Sequence, residues 1–342
     1  MNTLKYFAIM LAAHWAVLAA AADEKTETLR AGMIGLDTSH VIAFTQLFND
    51  PDATGNRAKV RVTAGYPGGS EDIASSRDRV EGFTDRLRGK GVTIYDSIPE
   101  MLENVDVVLL ESVDGRVHLE QVIPVFEAGL PVFIDKPLAG SLTDVLAIAD
   151  LAERYDVAWF SSSALRFSPG ILDFRDGNER TGSVLGVNSW GPASIEPTHP
   201  DLFWYGVHGV ETLFTIMGPG CVEVTRVHQD GTDKVVGVWD DGRIGSFRGI
   251  RDGRSAFGAT VFGTSGIAQA GEYEGYGPLI EAMAAFFVLD ELPVEADETI
   301  NLFAFMEAAD ESKRRGGEPV SLDSVLEEAR AGVSERLREF GK

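Results

Sequence analysis

From residue 28 to residue 165, short apolar runs alternate with segments of helical spacing. This alternation restricts the possible folds more than any other feature of the chain. The runs "TLRAGMIG", "AKVRVTAGY", "VTIY", "VDVVLLES", "PVFID" and "VAWFSSS" read as strands. Between them, "TSHVIAFTQLFND", "SSRDRVEGFTDRLRGK", "SIPEMLEN", "HLEQVIPVFEAG" and "SLTDVLAIADLAERYD" read as helices, one opened by the cap Ser97 and one stopped by Gly129. Strands and helices in strict succession predict a parallel sheet covered by helices on both faces. Past Pro169 the texture changes. "SVLGVNSWG", "CVEVTRVHQD", "DKVVGVWDDG", "RIGSFRGIR" and "SAFGATVFG" are short, β-rich and separated by Gly and Asp turns, which predicts antiparallel sheet. "DLFWYGVHGVETLFTIMG" lies among them as one helix ending at Gly218, and three helices close the chain. The expected architecture is α/β: a parallel-sheet domain over 28–165, an α+β domain with a mostly antiparallel open sheet over 166–320, and a C-terminal helix over 321–342.

A chain of 342 residues, 44% hydrophobic and 24% charged, is long enough for two separate cores. Its formal net charge of −23 repels nucleic acid and anionic membrane, so neither is an expected partner. The single cysteine, Cys221, cannot form an intrachain disulfide and reads as a small apolar core residue. At the N-terminus, Lys5 precedes an apolar run from Tyr6 to about Ala20, followed by small residues before Asp23. That is the layout of a secretory signal over residues 1–22, with cleavage after Ala21 or Ala22, and it predicts export to the periplasm or medium. The alternative, a retained membrane anchor, is disfavoured by the short run and by His14 within it.

The first strand ends in "GLDTSH". Gly35 stands where a phosphate-binding turn needs its first glycine, and a helix follows, so the first domain reads as Rossmann-like. Asp37 and His40 occupy the second and third glycine positions. Asp37 is expected either to cap the helix or, with His40, to line an altered pocket. The second strand ends in "VTAGYPGGSED" and offers no acid where a dinucleotide's ribose hydroxyls are usually bound; Glu71 and Asp72 come several residues later.

Together these segments resemble the Gfo/Idh/MocA family of glucose–fructose oxidoreductase and inositol dehydrogenase. The most specific piece is "GLPVFIDKPLAGSLTDV", in which Asp135-Lys136-Pro137 takes the place of the family's Glu-Lys-Pro. "GRVHLEQVIPVFEAG" is similar to the family's Pro-Asn-x-x-His helix start, with His118 in the His position and Asp114 and Gly115 in place of Pro and Asn. "SSSALRFSPG" resembles the segment leaving the first domain, with Arg166 and Pro169 in place. "WYGVHGVETLFTIMG" resembles the helix whose His meets substrate, so that His208 matches, Glu211 follows on the same face, and Trp204 stands where an Asp is common.

The resemblance implies NAD or NADP in a cleft between the domains, bordered by Gly35, Asp37, Thr38, Ser39, His40, Ser112, His118, Asp135 and Lys136. It implies a sugar or polyol hydroxyl facing Lys136 and His208 as catalytic groups, with Arg166, Trp204, Tyr205 and Glu211 around the substrate. Trp204 and Tyr205 are either a stacking platform for a sugar or plain core. The family pattern also implies a homo-oligomer formed through the open sheet. Two other readings remain: a carbohydrate-binding protein that has lost its dinucleotide, and a metal-assisted lyase or hydrolase using the pairs Asp37/His40 and His208/Glu211. No spacing in the chain amounts to a metal signature, and none is expected.

Overall fold

The structure, a computed structural model, describes residues 28–271 and 273–342, so the expected signal segment lies outside the described residues. The first sheet has the strand order β3-β2-β1-β4-β5-β6 and every pairing in it is parallel. Its strands are β1 (Leu29–Ile34), β2 (Val60–Tyr66), β3 (Thr93–Ile94), β4 (Val107–Leu110), β5 (Val132–Ile134) and β6 (Trp159–Ser161). The order reverses between β1 and β4. At such a point the loops from the carboxyl ends of the strands part and leave a crevice for ligand.

Helices α1 (His40–Phe48), α2 (Val80–Gly89), α3 (Ile98–Leu102), α4 (His118–Glu127) and α5 (Leu142–Tyr155) make the crossovers. The α5 start was readable from sequence, because Ser141 accepts a hydrogen bond from the Asp144 N–H. The expected polar helix after β2 is split: residues Ala74–Arg77 form a single turn and α2 begins only at Val80.

The second sheet has the order β12-β11-β7-β10-β9-β8-β13. It comprises β7 (Val184–Pro192), β8 (Cys221–Gln229), β9 (Thr232–Trp239), β10 (Ile244–Ile250), β11 (Gly258–Gly263), β12 (Ile267–Gln269) and β13 (Val320–Ser321). All its pairings are antiparallel except β7 with β10. One face is covered by α6 (Val207–Met217) and α8 (Ala296–Arg314), whose Leu213, Phe214, Phe305 and Met306 share a core with Val187, Val235 and Trp239. The segment read as one helix from Asp201 breaks at Tyr205–Gly206, so that a short turn, Asp201–Trp204, precedes α6. A Cβ at Gly206 would press on the carbonyl oxygen of Leu202 at 3.0 Å, so this close crossing favours glycine.

Two helices late in the sequence return to the first sheet. Helix α7 (Gly277–Leu289) packs Leu279, Ile280, Met283 and Phe286 against Met33, Val41, Phe44 and Phe160. Burying a side chain the size of Phe286 contributes roughly 1.5–3 kcal/mol. Helix α9 (Leu322–Glu339) lies along α5, where Arg336 binds the Asp144 carboxylate at 2.7 Å. The stretch expected as a separate second domain thus supplies part of the first domain's cover. Among the described residues, no helix is long and apolar enough to cross a membrane.

Candidate functional site

A cavity of about 540 Å³ lies where the carboxyl edge of the parallel sheet meets the second domain. The loop into α1 contributes Thr38, Ser39 and His40, the segment after β2 contributes Ser75 and Arg79, and β4 is followed by Val113. Beyond β5 come Lys136 and Pro137, and beyond β6 Ser163 and Leu165. Trp204, Tyr205, His208, Phe257, Tyr273 and Tyr276 close the opposite wall. The cavity is of ordinary size for a small-molecule site and combines aromatic walls with a few convergent polar groups.

Gly35 holds the phosphate-type turn. Its φ is +84°, and an added Cβ would overlap the Ser112 side chain and backbone nitrogen. Its own N–H donates to the Tyr66 carbonyl at 2.9 Å, and the Leu36 N–H donates to Pro67 at 2.7 Å. The turn is thereby pinned to the loop after β2. Asp37 neither caps α1 nor lines the cavity. It is fully buried and accepts from Ser76 Oγ at 2.5 Å and from the Val113 N–H at 3.0 Å, tying three loops together. Burial pushes its carboxyl above the ordinary value, and the hydrogen bonds from Ser76 and Val113 oppose that shift. The residue at the N-cap is Ser39, whose side chain makes no capping bond. With Asp37 turned away, the first turn of α1 reaches the cavity through Thr38, Ser39 and His40, and the free N–H groups of a helix start suit a bound anion.

The acids and the cation that follow β2 are placed differently. Asp72 is engaged by Arg116 at 2.8 and 2.9 Å and does not line the cavity. Arg79 does line it, with its Nε donating to the Ser75 carbonyl. Sequence reading missed Arg79 because it sits in a polar stretch that resembles any solvated helix. These residues fit a dinucleotide: the first turn of α1 would hold its diphosphate.

The peptide bond between Lys136 and Pro137 is cis, and Lys136 extends from the end of β5 into the cavity wall. His208 enters from the first turn of α6, with Nδ1 2.7 Å from Ser163 Oγ. Desolvation, followed by the nearby positive charges of Lys136 and His40, pushes the His208 imidazole well below its ordinary value. It is neutral near pH 7. The Tyr205 ring stands edge-on to it at 5.0 Å, and Trp204 packs against His199 at 4.9 Å. Both aromatics face the cavity rather than filling a core.

Four expected ligand contacts lie behind the wall instead. Ser112 donates to Gln121 at 2.8 Å. His118 is buried, with its ring nitrogens 3.0 and 2.8 Å from the carbonyl oxygens of Leu138 and Ser112. Arg166 and Glu211 are ion-paired with each other inside the protein, and Arg166 also binds Glu298 at 2.6 Å. The pairs Asp37/His40 and His208/Glu211 do not converge: the first members face Ser76 and Ser163, the second face Asp135 and Arg166.

At the floor of the crevice, His40 Nδ1 is 2.7 Å from Asp135 Oδ2 and 3.9 Å from Glu111 Oε2. Burial favours the neutral form of Asp135, but the charges of His40 and Lys136 outweigh it and hold the carboxyl at about 2. Glu111 follows β4 directly, and neither of its carboxylate oxygens has a hydrogen-bond partner among the described residues. A signal for Glu111 was present in the sequence: an acid closing the most apolar strand, at the sheet edge that presents ligands.

Comparison with known proteins agrees with this geometry. Residues 71–162 match the family model described as an oxidoreductase family with an NAD-binding Rossmann fold. Over 124 residues the chain is 29% identical to the rhizopine catabolism protein MocA of Rhizobium meliloti; the match covers 36% of this chain and 39% of that one. Scyllo-inositol dehydrogenase from Lactobacillus casei, solved with NAD(H) and scyllo-inositol, superposes with a TM-score of 0.66 at 12% identity, covering 87% of this chain and 100% of the other. GenD2 from gentamicin A biosynthesis, solved with NAD, gives 0.68 at 19% identity over 86% and 96%. At those identities the structural likeness speaks for the fold, while the sequence match reaches the segment with the Asp-Lys-Pro turn. The Rossmann-like sheet, the cleft-facing Lys136 and the second open sheet accord with that match, and over residues 71–162 the chain is similar to the Gfo/Idh/MocA family.

Proposed function

We propose that this protein is an NAD(P)-dependent oxidoreductase acting on a hydroxyl of a sugar or polyol. The observation carrying the reading is that Lys136 and His208, from different domains, share one cavity with the uncapped start of α1. A bound nicotinamide supplies the hydride acceptor or donor. His208, in the tautomer that donates Nδ1–H to Ser163 Oγ, keeps the Nε2 lone pair for the substrate hydroxyl proton. Lys136 offers positive charge to the oxygen from which that proton leaves. Trp204 and Tyr205 supply faces for the apolar side of a ring-shaped polyol. A lost dinucleotide site is not favoured, because Asp37 is turned away from the crevice.

Between the two dinucleotides we favour NADP. An acid after β2 serves the ribose hydroxyls of NAD, whereas an arginine there serves a 2′-phosphate, and here Arg79 is the residue in the cavity wall. NADP⁺ is expected to raise the melting temperature of the full chain more than NAD⁺ at equal concentration, as binding to the folded state alone requires. Gly35→Ala, whose added methyl overlaps Ser112, should abolish that shift while wild-type-like circular dichroism is kept. If neither dinucleotide shifts the transition and none is released on denaturing freshly purified protein, the redox reading fails.

The N-terminal segment supports export, with the cofactor retained rather than exchanged. Mass spectrometry of the periplasmic protein should find its first residue near Asp23. The open face of the second sheet supports self-association. Leu185, Val222, Val238 and Ile244 lie on four neighbouring strands and are 53, 45, 36 and 57% exposed. An apolar row of this kind on a sheet marks an interface. Light scattering should report a multimer, and Val238→Asp with Ile244→Asp should convert it to monomer; a monomeric wild type would defeat this reading.

A further inference from the structure

We propose that His40, Glu111 and Asp135 form a binding site for one divalent first-row transition-metal cation at the floor of the cleft, next to the dinucleotide and polyol contacts. Their candidate ligand atoms all lie within 4.8 Å of one another, two of them 2.7 Å apart. The side chains come from rigid places. Glu111 and Asp135 end adjacent parallel strands, with the Glu111 N–H bound to Ile34 at 2.7 Å and the Asp135 N–H bound to Leu110 at 2.8 Å. His40 is the first residue of α1, and its ring is stacked on Phe44 at 5.2 Å and flanked by Tyr276 at 4.9 Å.

The independent sign of a ligand is Glu111. It is 0% exposed, and among the described residues both carboxylate oxygens are without a hydrogen-bond partner. A buried carboxylate left in that state costs several kcal/mol unless a counter-charge meets it. The nearest atoms that could share a cation with it are those of Asp135 and His40. With both acids ionised and the imidazole neutral, as metal ligands must be, the three groups carry two negative charges and so match one divalent cation. Bonds of about 2.0–2.2 Å bring ligand atoms to within about 4.4 Å of each other, so side-chain shifts of under about one ångström would close the set. One nitrogen and two oxygen donors suit zinc, cobalt or manganese better than magnesium, which prefers oxygen alone. Three protein ligands leave coordination positions open, and His40 lies in the cavity wall, so those positions face the space where a polyol oxygen enters.

The test uses the full mature chain without an affinity tag and without added dinucleotide, so that its outcome is separate from that of the redox reading. Metal-stripped protein is dialysed against Zn²⁺, Co²⁺, Mn²⁺ or Mg²⁺ and the bound metal is counted. One equivalent of Zn²⁺ or Co²⁺ is expected, with Mg²⁺ binding far more weakly. Glu111→Gln and His40→Ala should each weaken Zn²⁺ binding by at least about a hundred-fold, because each removes a direct ligand and the loss of outer partners alone costs 10–100-fold. Stoichiometric binding that is unchanged in both variants would place the cation elsewhere and overturn the proposal. So would folded wild-type protein that takes up none of the four cations, or an infrared band of a protonated carboxyl that persists in their presence and vanishes in Glu111→Gln. Should both variants fail to fold, electron spin echo spectra of the Mn²⁺-loaded wild type decide: coupling to one directly bound imidazole nitrogen upholds the site, and its absence overturns it.

Discussion

Replacing Lys136 by Met is expected to lower kcat by about a hundred-fold or more on any polyol that the wild type turns over, and His208→Asn by a similar factor. In the proposed reaction the two groups act on one hydroxyl, so the double variant should fall little below the poorer single variant. The pH profile tells their roles apart. His208 is the base only when neutral, and burial with two nearby positive groups moves its titration well below the ordinary imidazole value of 6.5. A depressed value means that the neutral form persists on acidification. Activity should therefore hold through pH 6.5 and be lost as pH falls through that lower value. In Lys136→Met the largest neighbouring charge that depresses His208 is gone, so the acidic limb should move up towards 6.5. An acidic limb of the wild type already at or above 6.5, or full activity in His208→Asn, would remove His208 as the base.

The second large effect concerns stability. Arg166 is buried between Glu211 and Glu298, and Arg175 reaches Glu298 from the half-exposed side at 2.5 Å. Arg166→Met keeps much of the volume but strands the Glu211 carboxylate in the interior with the Ser162 hydroxyl at 3.1 Å, while Glu298 keeps Arg175. Breaking a buried pair in this way costs about 3–5 kcal/mol. Arg336→Met removes a bond of similar length to Asp144 at the partly exposed seam between α5 and α9, and should cost under about 1 kcal/mol. Denaturant unfolding of the three proteins side by side checks the contrast. Equal losses would show that burial does not govern these pairs. Because Arg166 and Glu211 do not line the cavity, the Arg166 variant should bind dinucleotide normally at temperatures where it is folded.

Helix α7 and Asp37 show where reading the chain reaches its limit. The local pattern of α7 is helical and strongly apolar, but nothing local says which sheet it covers. That follows from the chain returning across both domains to meet Met33 and Phe44. Asp37 stands in the phosphate turn and looks like an intruder until Ser76 and the Val113 N–H, 39 and 76 residues away, are seen to hold it. Arg79 and Glu111 escaped notice for a related reason: an arginine in a polar stretch and an acid at a strand end acquire meaning only from what lies across the cleft.

Periodicity, turn chemistry and the Asp-Lys-Pro motif are local properties, set by which side chains fit a pleat, a helical face or a tight turn. From them came the parallel sheet, the open second sheet and the glycine at the first turn, while the resemblance to a known family singled out Lys136 and His208. Direction is not local. Whether a carboxylate points into a cavity, into another loop or at a histidine depends on groups far away in sequence, and each such choice is fixed by the large cost of burying an unpaired polar atom. Only the tertiary structure could turn Asp37 inward, withdraw Arg166 and Glu211 from the cleft, and bring His40, Glu111 and Asp135 together beneath it.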